Sequence, residues 1–153
     1  MKITTGVDIV GIERMDKAID QWGDRFLQKI FTKKELMQAK ERGLSAQHLA
    51  GKFAAKEAVF KALSEFRNGE SLQWCDIEIL NYTDGRPQVS LHKGAESVRK
   101  KFVLSQIQVS IAHDKQWAVA SAVIVSEHKN TEKATTRIHK INTRKNGIST
   151  VLP

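Results

Sequence analysis

The sequence predicts an α+β fold of helices and antiparallel hairpins, and three observations predict it. Residues 47–63 form a long alanine-rich stretch with Leu49, Phe53, Phe60 and Leu63 at helical spacing. Two pairs of alternating segments, 76–82 with 88–92 and 107–113 with 117–125, enclose turn residues and read as hairpins. Thr32-Lys33-Lys34-Glu35 has the capping-box pattern that opens a further helix.

Taken in order, residues 2–10 read as a strand. Ile3, Val7 and Ile9 share one parity, and Thr4, Gly6 and Asp8 share the other. Asp8 therefore faces away from its apolar neighbours near the strand's end, where a side chain either reaches a site or stays exposed. Gly11 ends the strand. Residues 12–22 fit a helix with Ile12, Met15, Ala18, Ile19 and Trp22 inward, Gly23-Asp24 punctuates it, and 25–31 form a short helical segment. The capping box starts a helix that runs to Glu41, and Gly43 breaks it. Ser45 is placed to N-cap the long helix over 47–63. Residues 64–71 read as a loop, Asp84-Gly85 as a turn, 94–102 as a helix, and Asp114-Lys115 as the turn of the second hairpin. Cys75, beside Trp74 at a strand start, is expected to be a small buried residue rather than a nucleophile.

A chain of 153 residues suits one domain with a sizeable core. No apolar run approaches a membrane span, and the start lacks a secretory apolar region. The single cysteine excludes an intrachain disulfide and fits a reducing compartment, so the cytoplasm is the expected location. A net charge of +8 points to anionic partners: nucleic acid, phosphorylated cofactors or acidic proteins. Half of that charge sits in 127–153, where six basic residues meet only Glu127 and Glu132. Aromatic residues vanish there. The expected division is a folded domain over 1–126 and a basic, mobile tail over 127–153.

The long helix carries Lys52, Lys56, Glu57 and Lys61 among its alanines. A carboxylate bordering an apolar stripe and flanked by lysines suits a site that holds a cation together with phosphates. The plainer reading is an exposed Glu57–Lys61 pair, worth a few tenths of a kcal/mol.

Three segments together carry a resemblance. They are Gly6-Val7-Asp8-Ile9-Val10 with Glu13-Arg14, then 53–63, then Val109-Ser110-Ile111-Ala112-His113 with the return strand 118–123. In that order and at those separations the chain resembles the holo-acyl-carrier-protein synthases, the small type of 4′-phosphopantetheinyl transferase, over roughly 3–125. The resemblance implies an antiparallel sheet packed with one long central helix. It also implies a homotrimer with active sites at the protomer boundaries. The implied reaction passes the phosphopantetheine arm of coenzyme A to a serine of an apo acyl carrier protein, releasing adenosine 3′,5′-bisphosphate, with Mg2+ as cofactor. Asp8 and Glu57 match the metal-binding carboxylates, and Lys61 the residue that neutralises a bridging or leaving phosphate. His113 matches the histidine near the nucleotide's 3′-phosphate, and Lys52 a basic position toward the nucleotide phosphates. Arg14 matches the basic start of a carrier-docking helix, with Arg25 and Lys17 extending a positive ridge toward an acidic carrier protein.

The chain departs from the family after the long helix, where a glycine-rich turn is replaced by Ser64-Glu65-Phe66-Arg67-Asn68-Gly69. Backbone phosphate contacts are therefore not carried over to this loop, and Ser64 is its one modest candidate. Whether Glu57 takes the serine proton itself or through a water stays open at this level, as does the carrier, which could serve fatty-acid, polyketide or polyunsaturated-fatty-acid synthesis. Lys56 is expected to brace the helix or pair with an acid. Two other readings remain: a basic nucleic-acid-binding module using the tail, and a non-catalytic carrier-binding subunit. The tail has no aromatic stacking residues, which weighs against nucleic acid.

Overall fold

The computed structural model describes residues 1–67 and 69–127, so the basic tail expected beyond Glu127 lies outside the described residues. The fold begins with strand β1 (Lys2–Gly11), followed by helices α1 (Ile12–Ile30), α2 (Lys33–Glu41) and α3 (Ala46–Leu63). After a 3-10 turn at Ser64–Phe66 come strands β2 (Ile77–Asn81) and β3 (Pro87–Leu91), helix α4 (Lys93–Lys101), and strands β4 (Leu104–His113) and β5 (Trp117–Ser126). Both expected hairpins form, and β1 adds antiparallel to β5, giving a three-stranded sheet in the order β1-β5-β4. Among the described residues, no helix is long and apolar enough to cross a membrane.

Helix α3 crosses the inner face of this sheet, and small residues on both sides let it come close. Gly51, Ala54, Ala55, Ala58 and Ala62 are buried on the helix, and Ala118, Ala120 and Ala122 are buried on β5. The tightest point is Gly6, where a Cβ would lie 2.0 Å from the carbonyl oxygen of Ala58. One residue pair along β1, Thr4 Oγ1 donates to the Ala62 carbonyl at 2.7 Å. This contact inverts the simple sense of the strand's alternation. The apolar parity faces out, with Ile3, Val7 and Ile9 all more than half exposed, while Thr4, Gly6, Asp8 and Val10 face the helix side.

The capping box forms as expected: Glu35 N–H donates to Thr32 Oγ1, and Thr32 N–H donates to Glu35 Oε2. Glu35 does more than cap. Fully buried, it accepts from Lys56 Nζ at 2.7 Å and from the Ile79 N–H at 2.8 Å. Helices α2 and α3 thereby take the place of a neighbouring strand along the free edge of β2. Lys56 donates to the Ile77 carbonyl, Lys52 to the Ile79 carbonyl, and Gln38 both accepts from and donates to the Asn81 backbone. A buried ion pair of this kind costs about 3–5 kcal/mol to break from one side, because the remaining charge is stranded.

Three local expectations need correction. Trp22 is 58% exposed rather than inward, because α1 kinks at Gly23 (φ 52°) and the helical register ahead of the kink does not carry through. Ser45 occupies the N-cap position of α3, but its side chain makes no capping bond. Cys75 is half-buried, its thiol 3.7 Å from the Gln28 and Lys29 carbonyls, and burial raises its pKa, which keeps it protonated and unreactive.

The helix–sheet approach at Gly6 gives a direct prediction. Gly6→Ala forces backbone apart rather than a side chain, so urea denaturation should show a loss of about 3 kcal/mol, the upper end for overpacking. An unchanged midpoint would mean that the contact is looser than its geometry.

Candidate active site

Two concavities border α3 on different sides. The larger, a cleft of about 970 Å3, is lined by Asp8, Glu13, Arg14, Phe53, Glu57 and Trp117 among others. Asp8 reaches it from near the end of β1, and Glu57 comes from the middle of α3. The Gly6–Ala58 contact sets their separation, since these residues lie beside it on the two elements. Lys61, one helical turn beyond Glu57, donates to Asp8 Oδ1 at 2.8 Å and to the Val7 carbonyl at 2.9 Å. The structure therefore joins Lys61 to Asp8, where sequence spacing alone offered a Glu57–Lys61 pair.

Glu57 is half-buried, and its pKa is raised above the usual glutamate value. Burial is the leading cause, the nearby Asp8 charge adds to it, and Lys61 opposes both. Two carboxylates meeting at one cleft form a natural seat for a hard cation. Magnesium is commonly held by one or two carboxylates, with water and substrate oxygens completing its shell. No group of three or more His, Cys, Asp or Glu side chains suited to a metal occurs among the described residues. Asp8 and Glu57 could hold a cation whose remaining positions are filled by water and substrate oxygens.

The smaller concavity, about 200 Å3, is lined by Arg42, Gln47, His48, Lys52 and His113 among others. It brings together His113 and Lys52, two of the expected nucleotide-binding residues. Lys52 is 5% exposed, and its ammonium is engaged with the Ile79 carbonyl, Asn81 Oδ1 and Gln38 Oε1. Burial lowers its pKa to about 8, with Arg42 and Lys56 contributing in the same direction and Glu35 opposing. Lys52 therefore reaches the pocket through its field rather than through a free donor. Arg42 and His48 were not singled out from the sequence. Arg42 follows a helix end as an ordinary exposed arginine, and His48 is visible only as one polar residue in an alanine-rich helix. His48 Nδ1 is buried without a hydrogen-bond partner among the described residues, and burial first, then Arg42, lowers its pKa.

Arg14 is exposed at the mouth of the cleft, and Arg25 is exposed beyond the Gly23 kink. Lys17 pairs with Glu13 on the same helix at 2.6 Å. Ser64, the C-cap of α3, is exposed and lines neither concavity.

Residues 4–122 match the family model described as the 4′-phosphopantetheinyl transferase superfamily. The chain is 42% identical over 124 residues to a holo-[acyl-carrier-protein] synthase of Protochlamydia amoebophila, covering 80% of this chain and 98% of that one. It is 44% identical over 119 residues to the synthase of the same name from Dehalococcoides mccartyi, covering 78% and 95%. Among solved structures it resembles the Chronobacterium ammoniagenes ACPS–CoA complex, with TM-score 0.73 and 28% identity over 84% of this chain and 100% of that chain. It also resembles the Helicobacter pylori holo-[acyl-carrier-protein] synthase in complex with coenzyme A, with TM-score 0.68 and 30% identity over 79% and 99%.

The site's electrostatics can be tested in the metal-free protein. Removing the like charge with Asp8→Asn should lower the Glu57 titration midpoint, read by carboxyl-carbon NMR, whereas an unchanged or higher midpoint would separate the two carboxylates. Glu57 in the native chain holds its proton more tightly than in the unfolded chain. It therefore opposes folding increasingly as pH rises from the ordinary glutamate value to the raised one.

Proposed function

The chain belongs to the 4′-phosphopantetheinyl transferase superfamily, and we propose that it moves the 4′-phosphopantetheine arm of coenzyme A onto a serine of an apo acyl carrier protein. The reaction is magnesium-dependent and releases adenosine 3′,5′-bisphosphate. The convergence of Asp8, Glu57 and Lys61 at one cleft, from segments far apart in sequence, carries this reading. It accords with relatives that are holo-[acyl-carrier-protein] synthases and with structural neighbours that are coenzyme A complexes.

In the proposed reaction, the serine oxygen forms a bond to the phosphorus that bears pantetheine. The bond from that phosphorus to the bridging diphosphate oxygen breaks, and the nucleotide leaves with the electron pair. Transfer of this kind is mostly positioning and charge neutralisation. Asp8 and Glu57 would hold magnesium, which when bound supplies positive charge to the diphosphate oxygens. Lys61 adds a positive charge at the same edge of the cleft. A carboxylate that holds a cation is a poor proton acceptor, so we assign the serine proton to an intervening water beside Glu57. Arg42, His48 and His113 face the nucleotide phosphates, with the Lys52 charge behind them. Ser64 stays a candidate for coenzyme A contact at the end of α3.

Helix α1 offers Arg14 at the cleft mouth and Arg25 further along, a positive ridge that suits an acidic carrier. The enzyme works as a homotrimer. The exposed apolar residues Ile3, Val7, Ile9, Val119 and Val123 on the outer sheet face suit burial against another copy. The two concavities share no lining residue, so the nucleotide pocket of one copy can complete the carboxylate cleft of the next. A monomer in sedimentation equilibrium would overturn this arrangement. The lone cysteine, half-buried and unpaired, suits the cytoplasm.

The reading is tested by incubating the full chain with coenzyme A, magnesium and a panel of purified apo carriers, with the carrier's mass gain as readout. Glu57→Gln should abolish transfer, with a loss on the order of a thousandfold or more, while the protein stays folded. Normal turnover by this variant would remove Glu57 from the site. Arg14→Glu should raise the carrier KM, and added salt should do the same to the wild type. If neither changes it, docking occurs elsewhere.

A further inference from the structure

His113 is exposed at the end of β4, yet its ring is held by one specific partner. The side-chain nitrogen of Gln47, in the first turn of α3, lies 2.6 Å from His113 Nδ1 and 3.1 Å from the Asp114 backbone carbonyl. A carbonyl oxygen can only accept, so it fixes which end of the Gln47 amide faces the turn: the nitrogen. That nitrogen has only protons to offer, so His113 Nδ1 accepts. The Asp114 carbonyl is itself well placed, because Asp114 Oδ1 accepts from the Gln116 and Trp117 N–H groups at 2.7 Å each and so ties the turn.

We propose that Gln47 is a positioning residue that holds His113 in the tautomer with its proton on Nε2, so that the ring presents a neutral N–H donor to the adjoining pocket. The inference rests on the reading that this pocket takes the nucleotide phosphates of coenzyme A. Its physical sense lies in the pocket's charge. Arg42 and Lys52 already line it, and His48 stands 6.5 Å from His113, centroid to centroid. A donor fixed on Nε2 adds one directed hydrogen bond to that set of charges. The imidazolium form would set an Nδ1 proton against the Gln47 amide protons. Turning the amide over would set its oxygen against the Asp114 carbonyl. Gln47 thus acts on the proton's location, through a contact between two elements that are far apart in sequence.

Heteronuclear NMR that correlates the imidazole nitrogens with the ring protons reads the tautomer directly in the full chain, with His113→Ala assigning the resonances. The wild type should show the Nε2-protonated pattern, and Gln47→Met should show a mixture of the two tautomers. In carrier labelling, Gln47→Met should raise the KM for coenzyme A about fivefold, the worth of one neutral hydrogen bond, with kcat nearly unchanged. An Nδ1-protonated pattern in the wild type, or an unaltered tautomer in Gln47→Met, overturns the proposal and leaves the pocket's assignment standing. If adenosine 3′,5′-bisphosphate leaves the His113 resonances unmoved and His113→Ala keeps a normal KM for coenzyme A, the pocket's assignment fails and the proposal falls with it.

Discussion

The near-contact between the backbones of β1 and α3 governs the molecule. At Gly6 the strand lies so close to the Ala58 carbonyl that a single methyl group would not fit. Such an approach is available only where both surfaces are stripped of side chains, and the alanines of α3 and β5 do that along the whole crossing. Its consequence is chemical as much as architectural. Asp8, two residues beyond Gly6, and Glu57, next to Ala58, are carried into one cleft by backbone packing. They do not depend on long flexible side chains to find each other. A carboxylate pair positioned this way would lose little entropy on closing around a cation, which suits a transferase that relies on positioning.

The same helix divides its lysines between two tasks. Lys52 and Lys56 point into the protein and satisfy the open edge of β2, together with Glu35 and Gln38. Lys61 points the other way and meets Asp8. Spacing accounts for the division. Residues 52 and 56 are one turn apart on one face, while 57 and 61 are one turn apart on the adjoining face. An unpaired strand edge is a liability in a small protein, and here side chains cover it without adding a strand. The cost is a buried ion pair, and Glu35, Thr32 and the β2 backbone supply the hydrogen bonds that make it tolerable.

Most of the elements were legible in the sequence because their signals are local: the capping box, the hairpin turns and the apolar period of α3. The three candidate residues Asp8, Glu57 and Lys61 were singled out through resemblance, since Asp8 and Glu57 are too distant in the chain for any spacing rule to join them. What local signals missed has a common cause in tertiary contact. Ile3, Val7 and Ile9 have the alternation of a buried strand face, but the close helix selects the small parity and turns the apolar one outward. Lys52 carries the chemistry of a phosphate ligand, yet its ammonium is drawn to backbone carbonyls of β2 that no sequence pattern marks. Trp22 matches the inward spacing of α1 but lies just before a glycine whose backbone ends that register.

The outward apolar face and the two separate concavities bear on each other. A sheet that buries its small residues and exposes its valines and isoleucines carries apolar area that is costly in water. A pocket rich in cations and a cleft rich in carboxylates lie on one chain with no shared lining residue. The proposed substrate, a nucleotide with phosphates at both ends of its sugar, would meet cations at one end and the carboxylate pair with its metal at the other. If neighbouring copies bury the sheet face, the same assembly can set one copy's cations opposite the next copy's carboxylates. Folding of the chain and completion of its site then draw on one source of free energy, the removal of that apolar face from water.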